Sequence, residues 1–245
     1  MVKKESWKKL AIVGIFAAAM AFLEAVIVVY LRKIYYPQGF NFPLTAIETW
    51  VLNVEWVREF FTIVMLICIG LLAGKTFYEK FSYFLYNFAM WDIFYYIWIK
   101  VILNWPTSLL TWDLLFLIPW PWAAPVITPI IYSVSITILA LCIIHCKDKN
   151  YKIKLSKTEW TLFIVGSAII LYTFLYDYGQ LIFKGGFASG FLTLATNESF
   201  SQIVFSYAPS SYNWILFVVG EILIFISIFS FFIRTKKNLK TDIIG

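Results

Sequence analysis

The sequence is poor in charge and in histidine, and each shortage excludes a class of protein. Only 14% of its 245 residues are Asp, Glu, Lys or Arg, whereas 61% are hydrophobic and 20% are aromatic. A soluble domain has about 25% charged residues, so water does not solvate most of this chain. His145 is the only histidine, which excludes a bis-histidine haem, a di-iron bundle with two Glu-x-x-His motifs and a three-histidine zinc site. We therefore expect no haem and no histidine-based metal site, and the cofactor, if any, is not indicated.

Cysteines and nucleotide-binding or hydrolase motifs are equally scarce. The three cysteines, Cys68, Cys142 and Cys146, all lie in apolar segments, so no disulfide framework is indicated. The chain contains no P-loop, no G-x-S-x-G elbow and no paired aspartate-rich diphosphate motif. ATPase, hydrolase and prenyltransferase activities therefore have no direct support in the sequence.

What the sequence does contain is a series of long apolar runs. A run of about 20 apolar residues crosses a hydrocarbon core of roughly 30 Å as a helix, and transmembrane β-strands are too short to explain runs of this length. The fold class predicted is an all-α polytopic membrane helix bundle, with residues 1–245 forming one domain. The six predicted spans cover residues 10–31, 57–74, 81–103, 124–146, 160–183 and 212–233.

The basic residues predict how these spans are oriented. Fifteen of the 20 lysines and arginines fall before the first span, in the two loops after the even-numbered spans, and after the sixth. Basic residues concentrate in cytoplasmic loops, so both termini are expected in the cytoplasm of a prokaryotic cell, with the protein in the plasma membrane. The net charge of +6 then reflects topology and contact with anionic lipid. We therefore expect membrane lipids as partners and no nucleic acid.

The predicted loop at residues 104–123 is unusual because it is both aromatic and rich in proline. Its sequence, NWPTSLLTWDLLFLIPWPWA, includes an apolar run from Leu109 to Ile118 that is too short to cross a membrane and too apolar for a solvated loop. A re-entrant or interfacial helix is predicted between the third and fourth spans. A tryptophan belt at the headgroup level would also explain the aromatic residues, and the two interpretations are compatible.

Glycine spacing indicates where two helices pack closely. Gly70 and Gly74 form a G-x-x-x-G pattern at the inner end of the second span. Small residues at this spacing allow two helix backbones to approach each other in a membrane. These glycines are predicted to lie on a packing face and to have no catalytic role.

Ionisable residues inside the predicted spans indicate a site. Each costs on the order of 2.5–3.5 kcal/mol near the bilayer centre and needs a partner or a water-filled cavity. Most of these ionisable residues lie in the outward halves of their spans. We therefore predict a polar cavity that opens outward and is lined by the first, third, fifth and sixth spans. Arg58 and Lys100 are expected to balance its carboxylates. Buried ion pairs that only fix helix register are the alternative. The candidate site residues are Glu24, Arg58, Glu59, Asp92, Tyr95, Tyr96, Lys100, Asp113, Asp177, Gln180 and Glu221.

Three segments of the chain resemble a family of uncharacterised bacterial integral membrane proteins. They are EAVIVVYLRKIYYPQGFNFPL at 24–44, WDIFYYIWIKVILNWPTSLLTWDLLFLIPWPWAAPV at 91–126 and NWILFVVGE at 213–221. The resemblance implies a polytopic membrane protein and brings no activity with it. The similar segments include Glu24, Asp92, Lys100, Asp113 and Glu221, which the burial argument selects independently.

Three classes of function are compatible with these features. A binding or assembly protein is favoured slightly, with a small molecule or lipid as ligand, or with its aromatic outer loops contacting another protein. A small-solute or proton-coupled transporter would use the carboxylates for coupling, and a membrane enzyme would use one of them as a general acid or base on an apolar substrate. The sequence does not indicate an oligomeric state.

Overall fold

A computed structural model shows the protein as a helical bundle with one small β-hairpin. It describes residues 3–188 and 198–244. The helices are α1 (Lys4–Tyr35), α2 (Thr49–Ala73), α3 (Phe77–Leu103), α4 (Ile127–Asp148), α5 (Lys157–Lys184), α6 (Glu198–Ser206) and α7 (Trp214–Ile244). Strands β1 (Trp112–Phe116) and β2 (Trp122–Pro125) pair antiparallel between α3 and α4. The predicted all-α bundle is confirmed at this level.

Among the described residues, five helices are long and apolar enough to cross a membrane. They are α1, α2, α4, α5 and, in α7, the part from Trp214 to Lys237, so the chain has the composition of a membrane protein. The third predicted span corresponds to α3, which has 27 residues but carries four charged residues, Glu79, Lys80, Asp92 and Lys100. This helix packs against α1, α2 and α4 in the interior of the bundle.

The two ends of the bundle differ in chemistry. The lysine-rich end contains both the start of α1 and the far part of α7: the Lys3 backbone N–H donates to Asp148 at 2.7 Å, and the Arg234 guanidinium donates to Glu159 at 2.7 Å. At this end Ser156 and Glu159 form a capping box that begins α5. The opposite end, called the cavity end, contains the α1–α2 connection, the β-hairpin and α6.

Glycines allow the closest helix contacts, as predicted for the second span. A Cβ atom on Gly70 would lie 2.7 Å from the Phe84 Cβ of α3, and one on Gly74 would lie 2.3 Å from the Lys80 backbone nitrogen. The prediction that these two glycines form a packing face is confirmed. The α5–α7 contact has the same character, because a Cβ on Gly166 would lie 2.7 Å from the Gly220 carbonyl oxygen.

The segment between α3 and α4 is a hairpin, and the helix predicted from Leu109 to Ile118 is wrong. Pro119 and Pro121 have no backbone N–H to donate, so a helix cannot run through them. The Trp, Leu and Phe residues around them favour strands. Strand pairing places Trp112 opposite Pro125 and Asp113 opposite Ala124. The hairpin also packs against α5, where the Trp120 indole N–H donates to the Leu175 carbonyl at 2.9 Å.

Candidate functional site

A cavity of about 430 Å³ lies at the cavity end of the bundle. Its walls come from the second half of α1, the first half of α2, the middle of α3, the hairpin with its turn, and α6. Most of the lining is apolar or aromatic, and the exposed side chains of Thr45, Asn53 and Trp56 stand at its rim. Clefts of roughly 300–1,000 Å³ with an apolar lining and a few polar groups are typical of small-molecule sites. The charged residues in the lining are Glu24, Arg32, Glu55, Arg58, Glu59 and Asp92, and its tyrosines are Tyr36, Tyr95 and Tyr96.

Arg58 lies between two carboxylates on one wall of the cavity. Its guanidinium donates to Glu24 of α1 and, at 2.7 Å, to Glu55 of α2. The Arg58 side chain is 17% exposed, so all three groups are largely removed from water. Residues 55 and 58 share a face because they are three apart on a helix. This cluster is called the Arg58 triad, and it fastens α1 to α2.

Glu59 contributes a carboxylate that has no cation partner among the described residues. It is 5% exposed, and one oxygen accepts the Leu117 backbone N–H at 2.8 Å. Leu117 follows strand β1, so this bond joins α2 to the hairpin. An unpaired N–H near the bilayer is costly, which explains why the hairpin needs an acceptor at this position. The second oxygen of Glu59 accepts no hydrogen bond from a described residue.

Asp92 of α3 is a second lining carboxylate that forms no ion pair with a described residue. Its carboxylate accepts the Ser133 hydroxyl of α4 at 2.9 Å. Tyr95 and Tyr96 follow one turn later on α3, with ring centres 5.1 Å apart, and both line the cavity. The structure thus brings three of the predicted site residues, Asp92, Tyr95 and Tyr96, together in the cavity lining.

Arg32 and Asp113 form a buried ion pair that fixes the hairpin to α1. The Arg32 Nη2 donates to Asp113 at 2.7 Å, and the two side chains are 7% and 0% exposed. The guanidinium also lies 3.9 Å from the Trp105 ring centre and 4.4 Å from that of Phe40, which adds cation–π attraction. Burial raises the pKa of Asp113, and the Arg32 charge opposes that shift. Asp113 stands behind the wall and does not line the cavity.

The predicted single cavity differs from the observed one in its helices. Asp177 of α5 accepts the Tyr207 hydroxyl, and Glu221 of α7 accepts the Ser135 hydroxyl at 2.6 Å. Neither residue lines the cavity, nor does Gln180. The reason is that α5 and α7 pack mainly on each other, on α4 and on β2, whereas α1 and α2 pack mainly on α3. The cavity is built instead from α1, α2, α3, the hairpin and α6.

Lys100 does not balance a carboxylate, which corrects the expectation for this residue. Its ammonium donates to the backbone carbonyls of Asn104 at 3.2 Å and Pro106 at 3.0 Å. Both carbonyls follow the C-terminal end of α3, where free acceptors and the helix dipole favour a cation. Arg58 pairs with the cavity carboxylates Glu24 and Glu55, and a role in balancing carboxylates was predicted for it. Arg32, which follows the predicted first span, pairs with Asp113 behind the cavity wall.

Sequence reasoning missed Glu55, Arg32 and Ser133 as parts of the site. Glu55 could have been found, because its spacing of three from Arg58 predicts an ion pair on one helix face. Arg32 could not, because its partner Asp113 is 81 positions away. Ser133 is an unremarkable polar residue in the sequence, and only the packing of α3 on α4 brings it to Asp92.

Comparison with protein family models, curated proteins and solved structures finds no match to this chain. Within residues 3–188 and 198–244, no group of three or more His, Cys, Asp and Glu side chains is placed to hold a metal ion. The function therefore has to be argued from the cavity itself.

Proposed function

We propose that this chain is a six-span membrane protein that binds a small amphipathic molecule in the cavity. In this proposal α3 crosses the membrane in addition to the five apolar helices, which makes six spans. Both termini lie in the cytoplasm, and the cavity opens to the outer side of a prokaryotic plasma membrane. The hairpin would then lie at the outer interface or re-enter the membrane. The topology and the binding role are supported by separate observations.

The topology is supported by the position of the charged residues. Glu79 and Lys80 lie near one end of α3 and Lys100 near the other, so residues 81–99 contain Asp92 as their one Asp, Glu, Lys or Arg. These 19 residues span about 28 Å at 1.5 Å per residue, enough for the hydrocarbon core. Lys3 and Arg234 both bond to groups at the lysine-rich end, which agrees with an even number of crossings. Positive charge favours the cytoplasmic side for this end.

Cysteine labelling tests the orientation. In a background with Cys68, Cys142 and Cys146 replaced by alanine, Ser108→Cys is expected to react with a membrane-impermeant maleimide on intact cells. Asn150→Cys is expected to react only after the membrane is opened, because it lies at the lysine-rich end. Both positions are exposed, so they form a matched pair. The reverse pattern would invert the proposed topology, and labelling of both from outside would contradict the span count.

The binding role is carried by one observation, the cavity of about 430 Å³ with an apolar lining and a few polar groups at fixed positions. The Arg58 triad and the Glu59 bond to Leu117 hold those groups in place, and a preformed site reduces the entropy lost on binding. A cavity lined mostly by Val, Leu, Ile and aromatic side chains suits a ligand with an apolar body. The rim residues Thr45, Asn53 and Trp56 provide the polar entrance.

The floor of the cavity favours binding over transport. Trp91 lines the cavity and also belongs to a close-packed cluster with Ala17, Met20, Ala21 and Leu66, which are 0–7% exposed. This cluster lies between the cavity and the lysine-rich end. A transporter must open the site to both sides, whereas a binding protein needs one entrance.

Filling the cavity is expected to weaken binding without unfolding the protein. Val28 lines the cavity, so Val28→Trp places an indole inside it. Native mass spectrometry of protein extracted gently from its own membrane is expected to show a bound molecule on the wild type, reduced at least about tenfold in Val28→Trp, a loss of about 1.4 kcal/mol in binding free energy.

The matched control is Leu23→Trp, because Leu23 is 65% exposed on the outside of α1. This variant is expected to retain the bound molecule and the wild-type melting temperature. A molecule that persists in Val28→Trp would show that it binds elsewhere, and a wild-type spectrum without any bound molecule would contradict retention of a ligand in the cavity.

A further inference from the structure

The cavity lining carries more negative than positive charge. Glu24, Glu55, Glu59 and Asp92 line it, together with Arg32 and Arg58. The charge of Arg32 is already matched by Asp113, which lies behind the wall. Arg58 is therefore the one cation left for four carboxylates among the described residues, and it bonds to Glu24 and Glu55.

Glu59 and Asp92 are the two lining carboxylates that form no ion pair with a described residue. Each carboxylate accepts one hydrogen bond from a neutral donor, the Leu117 N–H and the Ser133 hydroxyl respectively. A carboxylate removed from water without a cation is costly, and one neutral hydrogen bond offsets only part of that cost. A positively charged group entering the cavity would supply the missing partner.

The remaining lining distinguishes an organic cation from a metal ion. Hard metal ions require six or more oxygen ligands close together, whereas most of this lining is aliphatic or aromatic. Trp56, Trp91, Tyr95 and Trp120 are among the lining residues, and aromatic rings attract ammonium groups by cation–π interaction. Phe40 and Trp105 already contact the Arg32 guanidinium in this way.

We propose that the cavity binds a small organic ammonium ion, with its charged nitrogen at one of the two lining carboxylates that have no ion pair, Glu59 or Asp92, and its apolar body along the aliphatic and aromatic walls. This inference rests on the proposed binding function and adds the chemical class of the ligand. It assigns charge recognition to one of these two carboxylates and leaves the Arg58 triad a structural role.

Three ligands with the same apolar body and different head groups test this assignment. The probes are 4-phenylbutylamine, 4-phenylbutanol and 5-phenylpentanoate, titrated calorimetrically into the full-length protein in lipid nanodiscs. The amine is expected to bind at least about tenfold more tightly than the alcohol, because only the amine gains charge-assisted hydrogen bonds, and the carboxylate is expected to bind most weakly. One of the two variants, Glu59→Gln or Asp92→Asn, is expected to remove most of the amine's advantage over the alcohol, which identifies the carboxylate that holds the ammonium, and both are expected to leave the alcohol's affinity unchanged. An unchanged preference for the amine in both variants would contradict the assignment.

Glu221→Gln is the matched control, because it neutralises a buried carboxylate of α7 that does not line the cavity. It is expected to leave all three affinities at wild-type values. Binding of the alcohol reports that a variant is folded, and if Glu59→Gln does not fold, Asp92→Asn and the three affinities of the wild type still decide the question.

The outcomes separate this inference from the binding function on which it rests. Equal affinity for amine and alcohol, or tightest binding of the carboxylate, would overturn the ammonium assignment while the cavity stays a binding site. If none of the probes binds but a neutral molecule co-purifies and is lost in Val28→Trp, the ligand class is wrong and the binding function holds. If no probe binds and Val28→Trp changes nothing, both proposals fail.

Discussion

Arg58→Met is expected to lower the free energy of unfolding by about 3–5 kcal/mol. The change removes the one cation that Glu24 and Glu55 share and leaves two largely buried carboxylates facing each other. Methionine keeps an unbranched apolar stem in place of the arginine stem, so the loss comes mainly from the guanidinium and its charge. The measurement is thermal or denaturant unfolding of the detergent-purified protein, followed by tryptophan fluorescence.

Removing the two carboxylates as well should restore much of this stability. In Glu24→Gln/Glu55→Gln/Arg58→Met the triad carries no charge, and a neutral replacement of a buried ion cluster is often tolerated. Lys100→Met is the matched control, because Lys100 is exposed and bonds only to backbone carbonyls; a loss below about 1 kcal/mol is expected. Arg58→Met unfolding like the wild type would show that the triad contributes no stability.

Arg32→Leu is the second change with a large expected effect. Asp113 is 0% exposed, so removal of Arg32 leaves a fully buried carboxylate without a cation, at a cost of about 3–5 kcal/mol. The hairpin would also lose its attachment to α1. The Phe40 and Trp105 rings would lose their contacts with the guanidinium. The readout is the unfolding free energy together with proteolysis in the 104–126 segment, which is expected to accelerate.

A double-mutant cycle isolates the ion pair from these other contacts. Arg32→Leu/Asp113→Asn is expected to be more stable than Arg32→Leu alone, because the buried charge is gone, and the coupling energy should exceed about 1 kcal/mol. Lys33→Leu serves as the control, since Lys33 is the exposed neighbour on α1 and should change stability by less than about 0.5 kcal/mol. A coupling energy near zero would mean that the two side chains do not stabilise each other.

The two expected losses have a common structural reason, which is the way the hairpin is held over the cavity. Arg32 holds it from α1 through Asp113, and Glu59 holds it from α2 through the Leu117 N–H. The hairpin therefore forms a wall of the cavity that depends on side chains from two helices. Loss of either attachment is expected to weaken ligand binding as well as stability.

Much of the helical architecture could be predicted from the sequence, because an apolar run of about 20 residues has few alternatives to a helix in a membrane. The periodicity did not define helix ends: α2 begins at Thr49, eight residues before the predicted span, since the polar turns around Glu55 are helical as well. The helix predicted for residues 109–118 was wrong, because an apolar run of ten residues fits a helix or a strand equally well.

The candidate site was predicted in part. Glu24, Arg58, Glu59, Asp92, Tyr95 and Tyr96 line the cavity, and they were selected because a charge or hydroxyl inside an apolar run needs a partner. The same reasoning selected Asp177, Gln180 and Glu221, but none of them lines the cavity. Asp177 accepts the Tyr207 hydroxyl and Glu221 accepts the Ser135 hydroxyl instead. Cost of burial identifies which residues need partners and does not say which partners they have.

The membrane environment, the helices and the set of polar residues that are costly to bury could be predicted, because they depend on composition and on local periodicity. The partners of those polar residues could not, because they depend on the tertiary structure. Arg58 meets Glu24 from 34 positions away, and Arg32 meets Asp113 from 81 positions away. Such pairings depend on which helices become neighbours and on how the hairpin turns, and those are set by packing over the whole bundle, as at Gly70 and Gly166.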